Sequence, residues 1–182
     1  MTAALVVIDV QQGMFQLPDF HLHDGEGTVE RIAALIARAR ESRAPVFFVQ
    51  HDGGPDHPFH PGKPGFPFHE KLTPLAGDDV TVKRRGSAFH GTDLDAKLRA
   101  AGVDTLIVCG MQSEYCVDSA VRGAVERFYR VVLPADGHTT AATPVLTGAQ
   151  IVAHENQTLD GGYAQVIPAG QVRFAAEPRD GT

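Results

Sequence analysis

Six short apolar runs rich in β-branched residues punctuate the chain, and their spacing constrains the fold more than any other feature. They are Leu5–Ile8, Pro45–Val49, Val80–Val82, Thr105–Val108, Val131–Leu133 and, more weakly, Ala164–Ile167. Runs of this kind, without polar alternation, read as strands buried on both faces, which is the mark of a parallel sheet. Helical patterns fill the gaps. Val29, Ile32, Ala33 and Ile36 recur at helical spacing. Leu94, Leu98 and Ala101 form a second stripe, opened by a capping box at Thr92–Asp95 and closed by Gly102. A third amphipathic helix is predicted from about Cys116 to Phe128. Thr143–Pro144 reads as the N-cap and first position of a fourth, carrying Ala149, Val152 and Ala153. This alternation predicts a three-layer α/β/α, Rossmann-like fold with a mainly parallel six-stranded sheet and right-handed crossovers.

At 182 residues the chain reads as a single domain, 1–182, with a polar, frayed tail over 175–182. Sixteen basic against 22 acidic residues leave a net charge of −6. With no basic stripe to offset it, nucleic acid and anionic membrane are disfavoured as partners. No apolar run approaches the ~20 residues of a bilayer span, and the N-terminus lacks a signal pattern. The two cysteines, Cys109 and Cys116, form no disulfide framework and suit a reducing, cytoplasmic setting.

The segment His51–Phe68 breaks the rhythm. It holds four Gly, five Pro, three His and three Phe in 18 residues, a density of breakers that no helix or strand survives. It reads either as an exposed excursion or, given its Phe and His, as a loop packed over something.

Open α/β sheets bind ligands at the carboxyl ends of their strands, so the residues just past each run hold the candidate chemistry. Cys116 follows the fourth run at the start of a helix, where free N–H groups favour an anion and lower a thiol pKa; the alternative is a buried structural thiol. Cys109 lies against its strand and reads as a small hydrophobe. Asp9, after the first run, is either a turn cap or a base whose pKa partial burial raises. Lys83 heads the cluster Lys83–Arg84–Arg85, which is either a solvated patch or, for Lys83 alone, an inward charge. His51 is either a structural histidine or a substrate contact. No G-x-G-x-x-G, P-loop or G-x-S-x-G occurs.

Four blocks then stand in order: Val7–Phe15, with the pattern D-x-Q-x-x-F; Lys83–Leu94; Cys109–Ala120; and Tyr129–Gly137. In order and spacing these blocks resemble the isochorismatase-like cysteine hydrolases, the superfamily of nicotinamidases and carbamoylsarcosine amidohydrolases, over about Leu5 to Pro168. The resemblance implies a triad of Asp9 (general base and acid), Lys83 (electrostatic partner) and Cys116 (nucleophile). It also implies a cis peptide at Met111–Gln112 and an oxyanion hole from the Gln112 and Cys116 N–H groups. The implied reaction is hydrolysis of a C–N bond in a small amide, ureide or lactam through a thioester, without a cofactor. The family often assembles as homodimers or tetramers, so the same is expected here.

The chain departs from the nicotinamidase branch. Gln50–His51–Asp52–Gly53–Gly54 stands where that branch has an Asp-x-His metal motif, and His57, His60 and His69 fit no standard ligand spacing, so no metal is expected. Phe15, His51, Phe89 and Tyr115 are taken as pocket walls. Other readings are a vinyl-ether hydrolase of the isochorismatase type, a Cys-His enzyme pairing Cys116 with His138 or His51, and a non-catalytic binding module on the same fold.

Overall fold

The computed structural model describes residues 2–174; the expected frayed tail over 175–182 lies outside them. Strands β1 (Ala3–Ile8), β2 (Val46–His51), β3 (Asp79–Lys83), β4 (Thr105–Met111), β5 (Arg130–Pro134), β6 (His138–Thr139) and β7 (Gln165–Ile167) form one sheet. Its order is β3-β2-β1-β4-β5-β7, with β6 pairing β4, and every pairing is parallel. The expected parallel α/β fold is therefore present, with seven strands rather than six. The seventh, β6, spans two residues and carries no periodic signal.

Side chains alternate between two cores, one on each face. Ala4, Val6 and Ile8 of β1 join Leu94 and Leu98 of α3 (Leu94–Ala100) and Val121 of α4 (Asp118–Val125). On the other face, Leu5 and Val7 meet Val29, Ile32 and Ile36 of α2 (Gly25–Glu41), which follows the one-turn helix α1 (Gly13–Gln16). The period of two along β1 thus feeds both layers.

Four local expectations differ from the structure. Val80 and Val82 are exposed because β3 is an edge strand; only Thr81 and Lys83 turn inward. Thr92 does not cap α3; its hydroxyl donates to the Ala88 carbonyl, and Asp93 holds the N-cap position. The third helix is split. Ser113–Val117 forms a π-helical turn before α4, and Phe128 lies beyond the helix with φ +69° and is almost fully exposed. Thr143 does not start the last helix either. Its hydroxyl oxygen accepts from Val145 and Leu146 N–H in a local turn, and a true capping box at Thr147 and Gln150 opens α5 (Gly148–Leu159). That shift moves the buried face to Gly148, Ile151, Glu155 and Leu159.

The order in which the chain lays down its strands reverses between β1 and β4, the place where such sheets bind ligands. There Gly110 has φ +127°, and a Cβ on it would stand 2.1 Å from the Ile8 carbonyl oxygen. Gly110→Ala is expected to cost more than about 3 kcal/mol in chemical denaturation, through both strain and overlap. Gly162, with nothing within 4 Å of its would-be Cβ, serves as the control, and its alanine variant should change stability little.

Candidate active site

Three side chains meet at this reversal. Asp9 leaves β1 with a left-handed φ of +50° and is fully buried. Lys83, last residue of the edge strand β3, is 1% exposed and reaches inward over β2. Its Nζ lies 2.7 Å from Asp9 Oδ2, donates to Cys116 Sγ at 3.2 Å and donates to the Arg85 carbonyl at 2.9 Å. Neither Asp9 oxygen has a well-directed hydrogen-bond donor among the described residues. Cys116 sits in the π-helical turn, half-buried against the core beneath α4.

Burial dominates the ionisation of this trio. It raises the Asp9 pKa, with Lys83 pulling the other way. For Lys83 burial opposes the charge, but Asp9 and Cys116 outweigh it and hold the ammonium above its usual range. Burial, then the Asp9 carboxylate, pushes the Cys116 thiol up to about 12 against the pull of Lys83. The lowered pKa expected for a cysteine at a helix start is therefore reversed, because burial and a carboxylate outweigh the turn and the lysine. Cys109 is fully buried with its pKa driven far up by desolvation, and its thiol faces the Val6 carbonyl.

The Met111–Gln112 peptide is cis. The Gln112 carbonyl accepts from Tyr115 N–H (3.2 Å) and Val117 N–H (3.1 Å), while the Cys116 N–H between them does not share that acceptor. Three consecutive residues grip this turn from the side. His138 Nδ1 lies 2.8 Å from the Ser113 hydroxyl, Thr139 pairs with Met111, and the Thr140 hydroxyl accepts from the Gln112 side chain and donates to Glu114. Sequence reasoning did not find this grip; His138 was weighed only as a partner for Cys116, and the contacts place it on Ser113 and Asn156 instead.

The segment His51–Phe68 is tied down along its length. Gln11, fully buried, donates to the His51 and Phe66 carbonyls and accepts from His51 N–H. Gln50 donates to the same Phe66 carbonyl. Gln12 and Gly13 N–H bond the Pro67 and Gly65 carbonyls. Phe59 packs so closely on Gly13 that a Cβ there would lie 2.0 Å from the ring. Of the two readings of this segment, the packed loop is the one present.

The four pocket candidates have different surroundings. His51 is the register partner of Lys83, packs edge-on to His57 and Phe59, and has a buried Nδ1 without a hydrogen-bond partner among the described residues. Burial, then Lys83 and His57, lowers its pKa to about 4, so it is neutral at pH 7. Tyr115 is 56% exposed and precedes Cys116. Phe89 lies in the core, stacked on Tyr129 beneath Arg127. Phe15 packs on His69 and lines a small surface hollow with Met14, Phe20 and Leu22. His57 and His60 belong to the packed loop. His69 accepts from Lys71 N–H at the turn of 70–72.

Comparison with known proteins gives a consistent picture. The isochorismatase domain model matches residues 3–154. YddQ of Bacillus subtilis, an uncharacterized isochorismatase family protein, is 38% identical over 91% of this chain and 96% of its own length. A streptothricin hydrolase of Streptomyces noursei is 35% identical over 96% of this chain and 66% of its own. The ureidoacrylate amidohydrolase RutB of Methylorubrum extorquens is 30% identical over 80% and 73%. Among solved structures, an isochorismatase from Pseudomonas putida superimposes with a TM-score of 0.89 at 32% identity, covering 94% of this chain and 90% of that one. A cysteine hydrolase from Pseudomonas syringae gives 0.85 at 26%, covering 93% and 89%.

The loop carries a pH-dependent anchor. The buried Asp52 carboxylate accepts from His60 Nδ1 (2.9 Å), Gly54 N–H (3.0 Å) and Arg84 Nε (3.1 Å). The hydrogen bond from His60, then that from Gly54, holds its pKa near 2, below the ordinary 3.8. A depressed carboxyl pKa stabilises fully above the ordinary value and loses that contribution as pH falls through the folded one. Hydrogen exchange across residues 53–66, corrected for intrinsic rate, should therefore rise between about pH 4 and pH 2. Asp52→Asn should show the raised exchange already at pH 7; exchange unchanged from wild type would show that the carboxylate does not anchor the loop.

Proposed function

The chain belongs to the isochorismatase family and is a hydrolase of that family; on that premise we propose that it cleaves a C–N bond of a small amide, ureide or lactam by cysteine catalysis. The observation that carries the proposal is the bridging position of the buried Lys83 Nζ, 2.7 Å from the buried Asp9 Oδ2 and 3.2 Å from Sγ of the half-buried Cys116. A buried ammonium touching both a carboxylate and a thiol has no structural need of the thiol, and it serves a nucleophile whose charge changes during reaction.

The thiol rests protonated, its pKa near 12, so it needs a base. Asp9 is that base, made stronger by burial than an exposed carboxylate. As Asp9 takes the proton, Cys116 Sγ attacks the carbonyl carbon and the oxygen gains the charge. The backbone N–H groups of Gln112 and Cys116 receive that oxyanion. Asp9 returns the proton to the leaving nitrogen and the C–N bond breaks to leave a thioester; ammonia or an amine departs, except from a lactam, whose amine stays tethered to the acyl group. Water then attacks with its proton passing to Asp9, the C–S bond breaks, and Asp9 passes that proton to sulfur as the acid leaves the free thiol. Lys83 stays charged throughout and limits the cost of moving negative charge among these atoms. Two relatives are named for hydrolysis, one as an amidohydrolase of a ureido acid, which supports this substrate class.

A screen for ammonia or amine release over small amides, ureides and lactams tests the proposal. Cys116→Ala and Asp9→Asn should each lose at least about a thousand-fold in kcat/KM with a folded chain, as removal of a nucleophile or its base does elsewhere. Lys83→Met should lose activity and, by leaving Asp9 buried without its partner, about 3 to 5 kcal/mol of stability. Turnover that survives in Cys116→Ala would overturn the mechanism.

A further inference from the structure

We propose that His138 is a positioning residue, which sets the nucleophile turn through Ser113. The inference rests on the cysteine mechanism above and adds to it the group that fixes where Cys116 stands. His138 is 2% exposed and belongs to the two-residue strand β6 beside β4. Its Nε2 lies 3.0 Å from Asn156 Oδ1 in α5, and Asn156 Nδ2 donates to the Ala135 carbonyl at 2.9 Å. That last bond fixes the amide, so Asn156 Oδ1 is the acceptor and His138 Nε2 carries the proton. A neutral imidazole protonated at Nε2 has a bare Nδ1, and this nitrogen accepts from the Ser113 hydroxyl at 2.8 Å. The chain of bonds is Ser113 to His138 to Asn156 to Ala135, with each donor and acceptor matched and each link buried or half-buried.

The position of Ser113 gives the chain its meaning. Ser113 is fully buried and opens the π-helical turn that ends just beyond Cys116. It directly follows Gln112, whose N–H is assigned to the oxyanion. The π-helix is rare and occurs mostly as a single turn joined to an α-helix, often at functional sites. Here the backbone closes the turn through Val117 N–H to the Gln112 carbonyl and Asp118 N–H to the Ser113 carbonyl, and side chains from outside add to it. The Ser113 hydroxyl anchors its first residue to α5, and Thr140 holds the residues on either side through the Gln112 side chain and Glu114. Lys83 contacts Sγ only if the turn keeps this place, and the two proposed oxyanion donors lie on both sides of Ser113. A misplacement of about 1 Å in such a site costs on the order of a hundred-fold in rate.

The probe is p-nitrophenyl acetate, whose acyl transfer to Cys116 is read as p-nitrophenolate release in single turnover. Cys116→Ala supplies the blank; release at the wild-type rate from that variant would sink the cysteine mechanism itself, separately from the positioning claim. In wild-type background, Ser113→Ala and His138→Ala should slow acylation at saturating probe by about ten- to a hundred-fold while the half-saturating concentration changes little. His138→Asn places an amide oxygen near the lost Nδ1, keeps the acceptor for Ser113, and should recover most of the rate. Thermal melting and circular dichroism of each variant give the folded fraction by which rates are divided. A wild-type acylation rate per folded molecule in Ser113→Ala, or a His138→Asn variant no faster than His138→Ala, would overturn the proposal. Ser113→Ala is the milder change and keeps the test open should His138→Ala fail to fold.

Discussion

The buried contact between Lys83 and Asp9 sets the terms for the rest of the molecule. Their strands are separated by β2, so the two backbones stand about 10 Å apart, two strand spacings. Only a long side chain crosses that gap, and a bare ammonium at its end would cost several kcal/mol. Three acceptors meet it: the Asp9 carboxylate, the Cys116 sulfur and the Arg85 carbonyl. Register makes this possible. Lys83 pairs with His51, and Ile8 with Val49, so β2 and β3 end together, two residues beyond the end of β1, where Asp9 follows. A slip of one residue in β3 would turn Lys83 outward with Val80 and Val82 and leave Asp9 buried alone.

The fold was legible because its central strands, β1 and β4 above all, lie inside the molecule. A continuous run such as Leu5–Ile8 has no polar alternation to explain, and burial on both faces follows from it. The candidate triad was legible for a related reason: strand ends are easy to locate, and ordered blocks around them matched a known pattern. What escaped was short or non-local. Strand β6 has two residues, too few for any period, yet it supplies the contacts to the nucleophile turn. The capping box of α5 was masked by Thr143–Pro144, a pair with the right chemistry four residues early. Phe89 and Tyr115 illustrate the limit for pockets. Both flank chemistry-bearing residues in sequence, but the pleat and the helix turn send one into the core and the other to solvent.

The packed loop shows how a segment without helix or strand is still well defined. Successive turns close it from within, through N–H groups of His57, His60, Lys63 and Phe66, and side-chain amides and the turn after β1 tie it to the sheet. Gln11 satisfies three backbone groups at once, which accounts for a glutamine in the D-x-Q pattern on physical grounds. Because Gln11 lies two residues from Asp9, anything that shifts the loop also pulls on the turn that holds the carboxylate. Loop and site are coupled by covalent proximity as well as by contact.

Burial that raises a thiol pKa looks at first like a defect in a nucleophile, and the charge balance argues otherwise. With the thiol protonated, Asp9 and Lys83 cancel and the buried site is neutral. A resting thiolate would add an uncompensated negative charge where desolvation is already the largest effect on all three groups. Under the proposed mechanism the negative charge never needs to reside in full on sulfur. It starts on Asp9, passes through sulfur as the proton leaves, and ends on the substrate oxygen, within reach of the ammonium or of backbone N–H groups at each stage. A nucleophile that ionises only when a carbonyl is in place is also protected from oxidation and from adventitious electrophiles. Under that mechanism a high thiol pKa, a strengthened carboxylate base and a fixed ammonium act together, and the reactive form exists only during the reaction.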